Sequence, residues 1–527
     1  MILVRNLRLA PKEGVEKLPV LAARKLRISP EQIKSCSLVK KSLDARKKDD
    51  IHYVCAVALE LEGEERLLKK LKAADVSQYT PVQYNIESIS RPERPPVVVG
   101  FGPAGMFAAL VLAKAGARPI VLERGRDAVS RKATVERFRS EGILDTDCNV
   151  QFGEGGAGTF SDGKLNTGTK DPRISWVLRQ FAEYGAPENI VYDAKPHIGT
   201  DILVDVVQNI RRSIIELGGE VRFEHRLEEL ELCDGRLTGL RVSSPQGTYS
   251  LPCSELILAL GHSARDTVRT LFSQGLRMER KAFSMGVRIE HLQKDIDLAQ
   301  YGRAREELPA ADYSLSVHLA DGGSAYTFCM CPGGEVMAAA SEEGGLVTNG
   351  MSYSQRDGDN ANSALLVTLH PEDFPGEGVL AGMEWQRQIE KAAYNYGGGN
   401  YMAPAQLVKD FITGRPSTGP GRVKPSYKPG VIWGDIHEVL PALITDVLEK
   451  ALPQLGKKLR GFDDGEAVLT APETRSSSPV RMPRNEGLVS NIGGVYPCGE
   501  GAGYAGGITS AAVDGMRCAE AVLKNYR

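Results

Sequence analysis

Gly100, Gly102 and Gly105 fall in the spacing G-x-G-x-x-G, directly after the apolar run Val97 to Val99 and ahead of the aliphatic stretch Ala104 to Ala115. In that setting the first glycine permits a tight turn, the second lets backbone approach a pyrophosphate, and the third lets helix pack on strand. The helix start, with Pro103 preset for the first turn and amides from Ala104 onward, offers donors and the positive end of a dipole to phosphate. The next strand, Arg118 to Leu122, ends on Glu123 and Arg124, where a carboxylate accepts bonds from an adenosine ribose. The same spacing recurs at Gly153, Gly155 and Gly158, and at Gly501, Gly503 and Gly506. Neither recurrence is followed by a second strand and an acid, and only 21 residues remain after Gly506. The first match alone carries the full context of a dinucleotide site.

Two further glycine clusters suit close backbone approach to a ligand. NVQFGEGGAGTFSDGKLNTGTKD, residues 149 to 171, supplies Gly155, Gly156, Ala157 and Gly158, with Thr159, Ser161 and Lys164 behind them. The competing reading is a mobile surface loop. GGVYPCGEGAG, residues 493 to 503, places Gly499 and Glu500 after a short apolar strand, and Gly507 and Ile508 open a last helix. Glycine makes up 56 of 527 residues, 10.6%, against a usual share of about 7%. Only Gly14 and Gly63 fall within the first 92 residues, so the excess belongs to these clusters.

Candidates for chemistry lie between the clusters. In YTFCMCPGGEV, residues 326 to 336, strand alternation predicts Cys329 and Cys331 on one face, with Tyr326 nearby. The cysteines could form a redox pair, a thiolate ligand pair, or simply small apolar core. His262, beside the Gly261 turn, could donate a proton or merely pack. Arg475, Ser478 and Arg481 could orient anionic groups or cap a solvated loop. No histidine has metal-ligand spacing and no C-x-x-C occurs, so no metal site is predicted.

The elements that must position these residues divide into four stretches. Residues 1–92 read as an N-terminal α+β module of ferredoxin-like type, with strands at 2–9, 33–43 and 51–61 and helices at 15–26 and 64–74. It holds 18 Lys+Arg and 12 Asp+Glu, a net of +6 in a chain of net −2. Ser88 to Pro96 reads as a linker. Residues 93–265 begin a Rossmann-type dinucleotide domain, with a helix at 202–217, a meander from Leu227 to Leu251 turning at Asp234-Gly235 and Gln246-Gly247, and a buried strand at 255–260; Leu227 and Gly261 are expected to contact the cofactor. Residues 266–471 form an inserted α+β substrate or cap domain, and 472–527 return to the dinucleotide domain. The overall class is therefore α/β. Near-neutral charge argues against a dedicated nucleic-acid binder. Scattered cysteines, an odd nine in number, point to a reducing compartment, and no leader or membrane span is evident, so the chain is expected in the cytoplasm.

The order of motifs resembles the glutathione-reductase-type FAD flavoproteins. Their Ala-Thr-Gly-like turn corresponds to LILALGHSA, residues 256 to 264, with Leu260 in place of threonine. Their final Gly-Asp corresponds to Gly499-Glu500, and this acid holds a ribityl hydroxyl in those families. The strings NVQFGEGGAGTFSDGKLNTGTKD, TFCMCPGGEV, ETRSSSPVR and YPCGEGAGYAGGITSAA are similar to a bacterial family of FAD-dependent dehydrogenases of unknown substrate. YTFCMCPGGEV also loosely resembles a segment of geranylgeranyl reductases that lies over the flavin. The resemblance implies FAD and a two-domain flavoprotein core, but no reaction. The leading expectation is an FAD-dependent oxidoreductase exchanging hydride at flavin N5 with a small molecule, and the alternative is an NAD(P)H-dependent monooxygenase. No second nicotinamide-binding βαβ unit is present, so NAD(P)H would act as a transient electron donor at the flavin face. A reading of another class is an RNA-associated flavoprotein using the basic N-terminal module; a protein partner docking there is the plainer alternative.

Overall fold

The computed structural model describes residues 1–71, 74–302 and 307–526. Four strands near the N-terminus, Ile2–Leu9, Ile33–Asp44, His52–Leu61 and Val76–Gln78, form an antiparallel sheet in the order second, third, first, fourth. Helices Leu18–Leu26 and Glu64–Lys70 accompany it. Helix 64–74 was predicted longer, but residues 72 and 73 lie outside the described residues. The alternation in His52–Leu61 sends Cys55, Val57 and Leu59 into a core shared with Ile2, Val4, Leu18 and Leu26. The connection that follows has no regular structure yet is firmly laid down. Tyr84 packs its ring against Trp176, tilted at 57° with centroids 5.2 Å apart, and donates to Glu520 Oε1 at 2.7 Å, and the Ile89 amide donates to Ala115 O at 2.9 Å.

The second unit is built on a five-stranded parallel sheet, in the order Val495–Pro497, Leu256–Leu258, Val97–Val99, Ile120–Glu123, Glu220–Phe223. Val97–Val99 and Leu256–Leu258 are wholly buried, as continuous aliphatic runs require when both faces are covered: helices pack against Val98 and Ile257, and the meander core against Val97, Val99, Leu256 and Leu258. Helices Pro103–Lys114 and Ile508–Lys524 pack on this sheet and on each other, which joins the two ends of the unit across almost four hundred residues of chain. The meander, Arg226–Cys233, Arg236–Ser244 and Gly247–Pro252, forms its own three-stranded antiparallel sheet.

The third unit carries a seven-stranded mixed sheet. Its central strand, Phe283–Leu292, runs between Asn360–Leu369 and Val468–Glu473, and outside these lie Ser324–Cys331 and Ser316–His318 on one side and Ala403–Leu407 and Val431–Trp433 on the other. Helix Ala442–Lys458 and the residues around it seal one face with Leu448, Leu452 and Leu455. The division points expected at 265/266 and 471/472 fall inside elements. Helix Arg265–Ser273 buries Val268 and Leu271 in the meander core, and Val468–Glu473 is hydrogen-bonded on both edges within the cap sheet. No helix among the described residues is long and apolar enough to cross a membrane.

Candidate functional site

One elongated cavity of about 460 Å³ runs from the parallel sheet to the cap sheet. At its first end Gly100 turns with φ +96°, and a Cβ there would stand 2.3 Å from Ala259 O. Gly102 begins helix Pro103–Lys114, and Gly507, at φ +90°, begins helix Ile508–Lys524; neither helix start has a side-chain cap, and both open on the cavity. Pro103 has no N–H, so the first helix offers its amides from Ala104 onward and the last helix from Ile508 onward, each at the positive end of a dipole. Gly156 passes so close to Gly102 that a Cβ on it would lie 2.8 Å from the Gly102 Cα.

The 149–171 segment is a built loop. Gly156–Phe160 forms a 3₁₀ turn, and the fully buried Arg131 donates to the carbonyls of Asn149, Val150 and Glu154 at 2.7 to 2.8 Å. Burial lowers the Arg131 guanidinium to about 10 despite Glu123 and Glu154 nearby. Nothing in its sequence context marks this arginine, which sits in an ordinary helix.

Most of the residues predicted to hold a cofactor line the cavity: Gly100, Gly102, Pro103, Ala104, Glu123, Arg124, Gly156, Ala157, Gly158, Ser161, Lys164, Leu227, Gly261, Glu500, Gly507 and Ile508. Four others support the wall from behind. A Cβ on Gly105 would lie 1.9 Å from Gly100 O, so this glycine seats helix on strand. Gly155, at φ +81°, donates to Phe101 O and packs on Thr159, which is itself buried. Gly499, at φ +73°, donates to Asp514 Oδ2 at 2.8 Å. Glu123 reaches the cavity, but its carboxylate already accepts from three amides: Phe101 at 2.8 Å, Gly125 at 2.9 Å and Gly153 at 2.8 Å. Arg124 is held by Asp147 and Asp266.

At the cap end the strand ladder is irregular. The ladder of Ser324–Cys331 slips between Phe328 and Cys331, and Cys329 adopts φ +42°. Cys329 lines the cavity, and its carbonyl accepts from Arg288 Nη2 at 2.6 Å and from Cys331 Sγ at 3.2 Å. Both thiols line the cavity, Cys331 buried and Cys329 accessible; the surrounding protein pushes Cys329 up to about 12 and Cys331 upward as well. Neither is a thiolate near neutrality. Tyr326 does not line the cavity; its hydroxyl donates to Ser284 Oγ at 2.9 Å.

His262 lies on the wall, 3.1 Å from Ser263 Oγ and 3.9 Å from Glu500 Oε1. Burial, with Arg475 and Arg265 behind it, lowers this imidazole to about 3, so it is neutral and cannot serve as a resting proton donor of the imidazolium type. Glu500, on the same wall, is pushed up to about 7 by burial, with Lys281 opposing the shift. Arg475 lines the cavity but is clamped to Glu390 and Ser341, and Ser478 is spent on Val480 O and Gly501 O. Lys164 is paired with Asp162 at 2.6 Å and with Met330 O, and Arg356 grips the same carboxylate. Asp162, Arg356, Asn349 and Glu473 are wall residues that the sequence did not single out; they come from three separate stretches and share no motif. One trio of metal-ligand type stands close together among the described residues, Cys498, Asp514 and Cys518, but Asp514 is bound twice by Arg484.

Comparison with known proteins follows this division of the chain. The sequence model of a family described as "FAD-dependent protein, C-terminal domain-like" matches residues 282–476, which span the cap sheet, and a domain of unknown function matches residues 1–60. An uncharacterised protein of Clostridium beijerinckii is 48% identical over 535 residues, covering 100% of this chain and 99% of its own length. The chain belongs to the family of that protein. A para-nitrophenol 4-monooxygenase of a Pseudomonas species is 26% identical over 240 residues, 42% of this chain and 53% of its own. Among solved structures, a geranylgeranyl bacteriochlorophyll reductase-like protein of Thermoplasma acidophilum aligns at 12% identity and TM-score 0.38 over 84% of this chain and 80% of its own. Glycine oxidase of Bacillus cereus aligns at 12% identity and TM-score 0.32, over 82% of this chain and 96% of its own.

Proposed function

We propose that the cavity holds FAD and that the protein is an FAD-dependent oxidoreductase acting on a small molecule between the parallel sheet and the cap. The observation that carries this is the pair of uncapped helix starts, at Gly102 and Gly507, opening on one cavity whose turns exclude side chains. Such amides suit a pyrophosphate and an electron-rich ring. Gly100, Gly102, Ala104 and Gly156 would hold the diphosphate, Glu123 and Arg124 the adenosine end, and Glu500, Gly507 and Ile508 the flavin end. Bound flavin would supply hydride exchange at its N5. Around it, the Gly156–Phe160 turn excludes water, neutral His262 and Glu500 present hydrogen-bond partners, and the Cys329 bulge forms the substrate-side wall. The antiparallel order of the first sheet supports a ferredoxin-like reading of residues 1–92, and the chain order of the parallel sheet supports the glutathione-reductase-type placement.

A second reading, NAD(P)H-dependent hydroxylation, is favoured by the 240-residue match to the monooxygenase. The purified protein is expected to be yellow and to release FAD rather than FMN on denaturation; a colourless protein that takes up no added FAD would refute the proposal. Stopped-flow mixing with NADH and NADPH then separates the readings. Flavin reduction by a pyridine nucleotide with oxygen incorporated into a product supports the second, and substrate-driven reduction without oxygen incorporation supports the first.

A further inference from the structure

The N-terminal sheet ends in an edge strand, Ile33–Asp44, whose outer side does not face solvent at Lys41. Its Lys41 amide donates to Tyr192 O at 2.8 Å and its carbonyl accepts from the Ala194 amide at 2.8 Å, a parallel bridge onto the dinucleotide unit. The next residue, Lys195, lines the cavity, and beyond it Pro196 to Ile198 pair with Gly163 to Leu165, the segment that carries Lys164. The turn after the same edge strand grips the cap. Ile51 enters the cap core with Leu43 and Ala45 packed against it, and Lys48 Nζ donates to Ala299 O at 2.7 Å. From the same helix, Gln300 Nε2 donates to Asp312 O at 2.7 Å, and Asp312 in turn closes on Lys195 at 2.7 Å across the cavity rim.

We propose that the N-terminal module is an intramolecular clasp that ties the cap to the dinucleotide unit at the cavity rim and thereby controls access to the cavity through the Lys195–Asp312 pair. The module holds both partners of that pair, one through Tyr192–Ala194 and the other through the helix Gln293–Tyr301. Its basic residues fit this role better than tracking a polyanion: Lys25, Lys34 and Arg46 are paired with Asp75, Glu62 and Asp44, and Lys41 lies over the Tyr53 ring. The clasp stands apart from the identity of the bound cofactor.

The test reads access directly through Cys329, whose thiol faces the cavity, against Cys233, an exposed thiol on the meander. N-ethylmaleimide labelling of the full-length protein is followed by mass spectrometry, with and without added FAD. Lys41→Pro removes the amide that donates to Tyr192 O, and proline is tolerated on an edge strand whose N–H points outward. Losing one backbone hydrogen bond shifts an opening equilibrium on the order of tenfold. Lys41→Pro and Asp312→Ala are therefore both expected to raise the Cys329 rate relative to Cys233, on the order of tenfold for the former, while Lys41→Ala, which keeps both backbone bonds, leaves it unchanged. Unchanged Cys329 labelling in both Lys41→Pro and Asp312→Ala overturns the clasp. Should Lys41→Pro expose buried Cys253, marking a general loss of fold, Asp312→Ala alone decides. A protein that takes up no FAD refutes the proposed function and leaves the labelling result standing.

Discussion

Glu123→Gln separates two roles that the sequence merges. If the carboxylate served only an adenosine ribose, the variant would lose cofactor affinity and keep its stability without cofactor. In the structure the side chain is 4% exposed, and its two oxygens already accept from Phe101, Gly125 and Gly153 amides, which belong to the glycine turn, its own strand end and the 149–171 loop. The glutamine can keep one oxygen. In its better orientation that oxygen retains Gly125 and Gly153, and the new NH₂ faces the Phe101 N–H. The variant then loses one hydrogen bond to a charged group, about 1.5–3 kcal/mol, and leaves a buried N–H without an acceptor, about 1–3 kcal/mol. A loss of about 3–5 kcal/mol is expected in the cofactor-free protein, read by urea denaturation at fixed m-value. The affinity for FAD should fall as well, because the Gly100 turn and the Gly153 loop are held by the same carboxylate. A midpoint equal to wild type in the cofactor-free protein would refute the bracing role and restore the ribose as the sole reason for this acid.

Other outcomes follow from the same geometry. Gly105→Ala places a Cβ 1.9 Å from Gly100 O, a backbone atom with no rotamer to yield, so FAD retention on gel filtration should drop sharply, and full retention would be contrary. Glu500 has a raised carboxyl, near 7 against an ordinary 4.5, so the native state holds its proton more tightly than the unfolded chain and loses that advantage as pH rises through this window. Glu500→Gln should therefore gain stability relative to wild type between about pH 4.5 and pH 7, measured by thermal melts of cofactor-free protein; a difference flat with pH would contradict this. The Cys329→Ser, Cys331→Ser double variant should keep the rate of flavin reduction by its electron donor, because both thiols are held protonated. A large loss would return the pair to a redox role.

Local patterns made much of the fold legible. The short aliphatic strands, the G-x-G-x-x-G turn, the meander with its Asp234-Gly235 and Gln246-Gly247 turns, and the N-terminal strands all appear close to where periodicity and turn residues put them. What stayed hidden is non-local. The cap sheet sets Phe283–Leu292 between strands that begin dozens and then nearly two hundred residues later, and no local signal encodes that order. Alternation put Cys329 and Cys331 on one wall, where both line the cavity, but the bulge between them, with φ +42° at Cys329, has no local signal. Glycines were recognisable as a class, but only their surroundings divide those that line the cavity, such as Gly102 and Gly156, from those that let elements touch, such as Gly105 and Gly499. Arg131, Asp162 and Glu473 owe their places to burial and partners contributed by distant chain.

The cap and the dinucleotide unit are joined by a buried ion cluster around Glu390. Glu390, on cap helix Ala381–Tyr396, is fully buried and accepts paired bonds from Arg265 of the helix after the Gly261 turn and from Arg475 beyond the cap sheet, and a further bond from the Thr474 hydroxyl, while Gln386 Oε1 accepts from Arg265. Two guanidinium groups beside one carboxylate hold Glu390 far below the ordinary carboxylate range, and the surplus positive charge helps keep His262 neutral. Pulling these ions apart would strand buried charges, which costs about 3–5 kcal/mol for each broken pair. At the opposite rim the Lys195–Asp312 pair has side chains 69% and 30% exposed, and exposed pairs contribute only about 0–1 kcal/mol. By these magnitudes the Lys195 rim costs less to separate than the Glu390 joint. That is the rim the N-terminal module spans, so the weak side of the cavity is also the side with a third element tied across it.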